Sequence, residues 1–430
     1  MGGIRPIEWI FYFLVLFFIF ASIFFSLPIG DNGIGISSET LAIGDRSFYI
    51  NDLDPFGDKG YQNYGRDGIS FSGGILYPKI LEIASFVSEK IFNQSTTSTL
   101  WNTIVISFAA ICSLITHKLL FLIGRLVGGE QTGIVCIIIY TICPYTYFYI
   151  LSGDITNYSL LFTTLATYCF IKIIKSQKSD SLLKSRNELV FLFISLLSLS
   201  LLRPSSAIFS LVISFGIPTV IFLQDKINAS LKMGFSKSLK NILILISVSI
   251  AIISINQLLE TRDYSIINIK KSLIYGGSFF GYPRELLREK ILTISASGNL
   301  IDYFKSLIYR FIFMTTDFYA GINDLRDSFS AANQERILPF LLRVSIGVFF
   351  FTPLTTLSIF GIFTFRKQII DTGLFLPLCA SFAAISTSFF GCSLSRYYFM
   401  FITPFIVSCA LLLVAMKSIS KKNIMFSNFE

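Results

Sequence analysis

Residues 8–27 read EWIFYFLVLFFIFASIFFSL, a run long enough to carry a helix across the hydrocarbon core of a membrane. Roughly 20 apolar residues suffice, because a helix satisfies its backbone N–H and C=O groups internally where lipid offers them no partner. Comparable runs recur near 100–122, 132–151, 157–174, 189–202, 206–223, 241–259, 341–363, 372–391 and 398–416. The composition agrees, since 53% of the 430 residues are hydrophobic and 14% are charged, well away from a soluble domain's balance. The expected fold class is an all-α integral membrane protein with about ten transmembrane helices, a single polytopic domain over residues 1–430.

Basic residues set the expected orientation. Lys172, Lys175, Lys178, Lys184 and Arg186 follow the fourth run, and Lys226, Lys232, Lys237 and Lys240 follow the sixth. Arg366 and Lys367 follow the eighth, and Lys417, Lys421 and Lys422 follow the tenth. The positive-inside rule then puts both termini in the cytoplasm and two long loops, 28–99 and 260–340, outside, with short outer turns at 152–156 and 392–397. The formal net charge of +9 is accordingly an orientation signal, and no nucleic-acid partner is inferred from it. Arg5 precedes the first run as in a signal peptide, but the run is longer than a usual h-region and lacks an A-x-A site, so it is expected to stay as an anchor.

Two loop segments carry the pattern of helices lying in the membrane interface. PKILEIASFVSEKIF at 78–92 has apolar residues at helical spacing with Glu82, Glu89 and Lys90 opposite. DYFKSLIYRFIFMTTDFY at 302–319 is rich in Tyr and Phe suited to the headgroup zone. An eleventh span there would invert the downstream topology, and the basic loops at 366–367 and 417–422 argue against it.

Inventory narrows the chemistry. The single histidine, His117, sits beside Lys118 near the inner end of the second run, where an interfacial role is expected. Ser-His-Asp catalysis and a multi-histidine metal site on the outer face are thereby excluded. The seven cysteines include no C-x-x-C pair and fall in apolar runs or, for Cys392, at an outer helix end, so neither a disulfide framework nor a structural zinc site is expected. Carboxylates, arginines, tyrosines and amides remain.

Several short motifs fall, in order, on the expected outer side. The first loop opens with Gly44-Asp45-Arg46-Ser47-Phe48-Tyr49, and Tyr77-Pro78 follows. Cys143-Pro144 leads to Ser152-Gly153-Asp154; Leu202-Arg203-Pro204-Ser205 breaks the fifth run from the sixth; Ser395-Arg396-Tyr397-Tyr398 precedes Pro404. The arrangement resembles the GT-C glycosyltransferases that use a polyprenyl-phosphate sugar donor, in particular the branch of protein O-mannosyltransferases and aminoarabinose transferases. This chain departs from that pattern in having Arg46 where relatives often carry a second acidic residue, and at its length it is expected to lack the soluble C-terminal domain of some relatives.

The resemblance implies transfer of a sugar from a polyprenyl phosphate to an unidentified acceptor on the extracytoplasmic face, with membrane lipid around the site. The expected location is an inner (plasma) membrane of bacterial type. Asp45 is the expected general base for an acceptor losing its proton, against the alternative of a solvated loop carboxylate. Asp154, in a turn at the bilayer boundary, has three open roles: orienting the acceptor, holding a divalent metal with Asp45, or capping the following helix.

Breaking a glycosyl-phosphate bond leaves a phosphate anion that needs cations beside it, and a guanidinium fork suits phosphate oxygens. Arg203 and Arg396 are the foremost candidates, with Arg46 third; the alternative for the first two is a snorkelling interfacial arginine. Tyr49, Tyr77 and Tyr397 complete the expected substrate-binding set. Arg284 and Arg288 read instead as helix ion pairs with Glu285 and Glu289. Two rival classes stay open: a secondary transporter or lipid-linked sugar flippase, which would carry ionisable residues deep inside several spans, and a polysaccharide polymerase or ligase using a lipid diphosphate.

Overall fold

Proline and glycine decide where the helices of this chain start, bend and stop. The computed structural model describes residues 6–25, 76–93, 99–152, 155–176, 186–202, 204–228, 237–260, 347–388 and 395–427, and among them every regular element is helical. They are α1 (Pro6–Phe25), α2 (Leu76–Phe86), α3 (Thr99–Gly128), α4 (Glu130–Ile142), α5 (Pro144–Ser152), α6 (Ile155–Ser176) and α7 (Arg186–Leu202). After these come α8 (Pro204–Asn228), α9 (Lys237–Glu260), α10 (Thr352–Thr364), α11 (Arg366–Asp371), α12 (Phe375–Ser388), α13 (Ser395–Met400) and α14 (Thr403–Ser427). Single π turns, Val87–Ile91 and Gly347–Phe351, extend α2 and precede α10. The loop residues expected at 302–319, like most of both long loops, lie outside the described residues.

Thr103–Gly128 in α3 and Ile155–Lys175 in α6 are long and apolar enough to cross a membrane, and α4 with α5 adds a third if the bent pair is one span. Shorter apolar helices make up much of the rest. Large apolar side chains face outward on many of them: Phe13, Leu16, Phe17 and Phe20 on α1, and Leu245, Val248 and Ile252 on α9, are all more than half exposed. Such a surface suits lipid and not water.

The expected span 132–151 is two helices meeting at a bend of 66°. Pro144 causes it, because proline has no N–H to donate and its ring crowds the preceding turn. The carbonyls so released are taken up by side chains from the next turn. Thr146 Oγ1 donates to the Tyr140 carbonyl at 3.0 Å and the Tyr147 hydroxyl to the Thr141 carbonyl at 2.7 Å. In an apolar surround this is what makes a broken helix tolerable.

Close backbone approach holds the hairpin of α3 and α4. A Cβ on Gly124 would lie 2.7 Å from the Gly133 Cα, so neither position has room for a side chain, as at small-residue crossings in membranes. Gly129, between the helices, has φ 88°, a conformation that glycine adopts without steric cost. Buried hydroxyls bind other helix pairs: Ser200 to Ser254 at 2.8 Å joins α7 to α9, and Thr164 to Thr403 at 2.6 Å joins α6 to α14.

One end of the bundle is basic. Lys118 on α3 pairs with the buried Glu8 of α1 at 3.2 Å, and Lys172 on α6 pairs with Glu188 at the start of α7 at 2.5 Å. Lys175 Nζ reaches the Leu126 carbonyl, and Gln368 Nε2 donates to the Val127 carbonyl at 2.7 Å. His117, expected at an interface, is instead 1% exposed, stacked on Phe11 with ring centroids 4.2 Å apart and bonded to Thr141 at 3.3 Å. It is a core residue.

Candidate functional site

Four of the five motifs expected on the outer side meet the described structure at the other end of the bundle, and their neighbours show how the adjoining helices come together. Tyr77 lies in the first turn of α2. Tyr77, Ala84 and Ser88 are fully buried, a helical succession that faces α3 and α7, on which α2 packs. The segment expected to be helical at 78–92 is so from Leu76 to Ile91. Its outward side carries Ile83, Phe86, Ile91 and Phe92, each more than half exposed, together with the exposed Lys79 and Lys90.

The Tyr77 ring packs against Tyr158 with centroids 5.8 Å apart. Tyr158 belongs to the first turns of α6, which begins directly after Asp154. Ile155, Thr156, Asn157, Tyr158 and Ser159 are all buried. A second helix start meets this one: α8 begins at Pro204, whose missing N–H costs nothing at a first helical position, and Ser206 Oγ donates to Ser159 Oγ at 3.2 Å. The Arg-Pro break and the Ser-Gly-Asp turn therefore deliver their following helices to the same place.

α13, which carries Arg396 and Tyr397, is pinned on both sides. Thr163 Oγ1 on α6 donates to the Met400 carbonyl at 2.9 Å, and Thr355 Oγ1 on α10 donates to the Tyr398 hydroxyl at 2.9 Å. Phe399 packs against Tyr149 at 5.2 Å and Tyr145 at 6.4 Å, so the 66° turn at Pro144 brings α5 onto α13. Phe401, just beyond, stacks on Phe209 of α8 at 5.8 Å.

Of the residues expected at the site, Tyr77 is placed in full, and Arg396 and Tyr397 are placed on α13. Asp45, Arg46, Tyr49, Asp154 and Arg203 lie outside the described residues. No group of three His, Cys, Asp or Glu side chains suited to a metal ion occurs among the described residues. The sequence reading missed Asn157, Tyr158 and the Ser159–Ser206 contact. Asn157 stands at the edge of the expected run 157–174, beside Thr156, Tyr158 and Ser159, so the sequence carried no signal for it.

The stretch that supplies most of this geometry also has relatives. Residues 89–214 match the dolichyl-phosphate-mannose-protein mannosyltransferase family. The chain is similar to the GT-C membrane glycosyltransferases, and the matched stretch runs from the end of α2 into α8. No curated protein matches the chain. Among solved structures, the apo oligosaccharyltransferase of Archaeoglobus fulgidus is similar at 13% identity and a TM-score of 0.48, covering 97% of this chain and 52% of its own. The archaeal oligosaccharyltransferase AglB from the same organism, in complex with an inhibitory peptide and a dolichol-phosphate, gives the same figures. The chain thus spans about half the length of these solved structures.

Proposed function

We propose that this protein is a membrane glycosyltransferase that moves one sugar from a polyprenyl-phosphate donor to an acceptor on the extracytoplasmic face. The observation that carries the reading is the meeting of α2, α6, α8 and α13, the helices that carry Tyr77 and Arg396 or begin just after Asp154 and Arg203, within and beside the stretch that matches a mannosyltransferase family. The basic residues gathered at the opposite end support the orientation, with about ten spans, both termini in the cytoplasm and the loops 28–99 and 260–340 outside. α2 lies on the outer membrane surface, its Ile83, Phe86 and Ile91 directed into the acyl boundary.

In the reaction, the bond between the sugar's anomeric carbon and the phosphate oxygen breaks with its electron pair leaving on the lipid phosphate. The acceptor oxygen or nitrogen bonds to that carbon and gives its proton to the Asp45 carboxylate. Arg203, Arg396 and Arg46 stabilise the negative charge that grows on the departing phosphate. Asp154 orients the acceptor, and Tyr49, Tyr77 and Tyr397 line the substrate. A divalent ion, if one is used, would fall to Asp45 and Asp154.

Lipid mass spectrometry on membranes from a host lacking this protein tests the reading, with complementation by wild type or Asp45→Asn. A polyprenyl-phosphate sugar that accumulates in the null and the variant and clears with wild type supports it and names the sugar. Unchanged lipid-linked sugars, with full complementation by Asp45→Asn, would overturn it and favour a transporter.

A further inference from the structure

Asn157 is 1% exposed, and among the described residues neither its amide nitrogen nor its amide oxygen meets a hydrogen-bond partner. Ser205, 4% exposed, has a hydroxyl in the same condition. The two residues sit in the first turns of α6 and α8, the very turns joined by the bond from Ser206 to Ser159, and Tyr158 beside Asn157 rests on Tyr77. A buried amide without partners is rare because its desolvation goes uncompensated, and at a site such a group is completed by a ligand.

The hydrogen-bond sense of the two side chains selects among ligands. A phosphate offers acceptors alone and would leave the Asn157 carbonyl oxygen unanswered. A divalent cation takes that oxygen and leaves the NH₂ group. Sugar hydroxyls both donate and accept, so two neighbouring ring hydroxyls answer both ends of the amide, and a third suits the Ser205 hydroxyl. We propose that Asn157 and Ser205 read the hydroxyls of the sugar carried on the lipid donor, forming a specificity-determining subsite. This rests on the glycosyl-transfer reading above.

The test compares binding of dolichyl phosphate with that of a panel of dolichyl-phosphate sugars (mannose, glucose, galactose and aminoarabinose) to the purified full-length protein in nanodiscs, without acceptor. Wild type binds at least one sugar-bearing lipid more tightly than bare dolichyl phosphate, by on the order of tenfold, the factor of one or two hydrogen bonds. Asn157→Leu and Ser205→Ala reduce that gain while leaving affinity for the bare lipid unchanged. The inference is overturned if wild type binds no sugar-bearing lipid more tightly than the bare one, if the variants weaken both lipids equally, or if the sugar gain survives in them. If wild type binds neither bare nor sugar-bearing lipid, the glycosyl-transfer reading itself falls.

Discussion

Ser206 Oγ donates to Ser159 Oγ across 3.2 Å, and this bond fastens the start of α8, just past Arg203, to the start of α6, just past Asp154. Both serines are fully buried, so each hydroxyl's alternative is a poorly solvated interior. Ser159→Ala and Ser206→Ala are each expected to lower stability by about 1 kcal/mol, and the double variant by less than the sum. Thermal unfolding in detergent measures this, and strictly additive losses would show that the two hydroxyls are not coupled.

Asp45→Asn keeps the shape of the side chain and removes its ability to take a proton. Initial rates of sugar transfer are expected to fall by about 10²–10⁴-fold with an unchanged melting temperature. A rate within a factor of about two of wild type would assign the base elsewhere.

The pair of Lys172 and Glu188, 2.5 Å apart, joins a side chain that is 41% exposed to one that is 11% exposed. Lys172→Met strands a largely buried carboxylate and is expected to cost about 1–2 kcal/mol, less than a fully buried pair because solvent reaches the lysine. Adding Glu188→Leu should recover most of the loss. If the double variant is no more stable than Lys172→Met alone, the stranded charge is not the cause.

Pro144→Ala restores a backbone donor at the 66° bend and so favours a straighter α4–α5. That would draw Tyr145 and Tyr149 away from Phe399, which they now meet at 6.4 Å and 5.2 Å. Transfer activity should therefore drop while the melting temperature changes little. Unaltered activity would show that the bend does not serve the outer site.

Orientation is open to labelling. In a variant without native cysteines, Gln62→Cys should react with a membrane-impermeant maleimide on intact cells, and Lys178→Cys only after permeabilisation. The reverse pattern would invert the assigned topology.

Much of the helical layout was legible because its causes are local. The expected runs 157–174, 189–202 and 206–223 fall inside α6, α7 and α8, and the break between the latter two sits at Pro204, where a proline can begin a helix but not continue one. Tyr77 was singled out from the Tyr-Pro pair, and the structure places its ring against Tyr158 at the start of α6. The carboxylates Asp45 and Asp154 and the arginines Arg46 and Arg203 chosen with it lie outside the described residues.

By itself, then, the sequence determined the membrane class and the resemblance to GT-C enzymes, because run length, charge placement and short Pro, Gly, Arg and Asp motifs are properties of neighbouring residues. Only the tertiary structure decided which face of each helix turns inward. In lipid both faces are apolar, so hydrophobic periodicity carries little of that information, and the choice falls to close glycine contacts and hydroxyl bonds between residues far apart in the chain. Gly124 against Gly133, Thr164 with Thr403 and Ser206 with Ser159 make that choice here. They bury His117 in the core and leave the amide of Asn157 without a described partner beside the candidate site, where no local pattern in the chain would have put either.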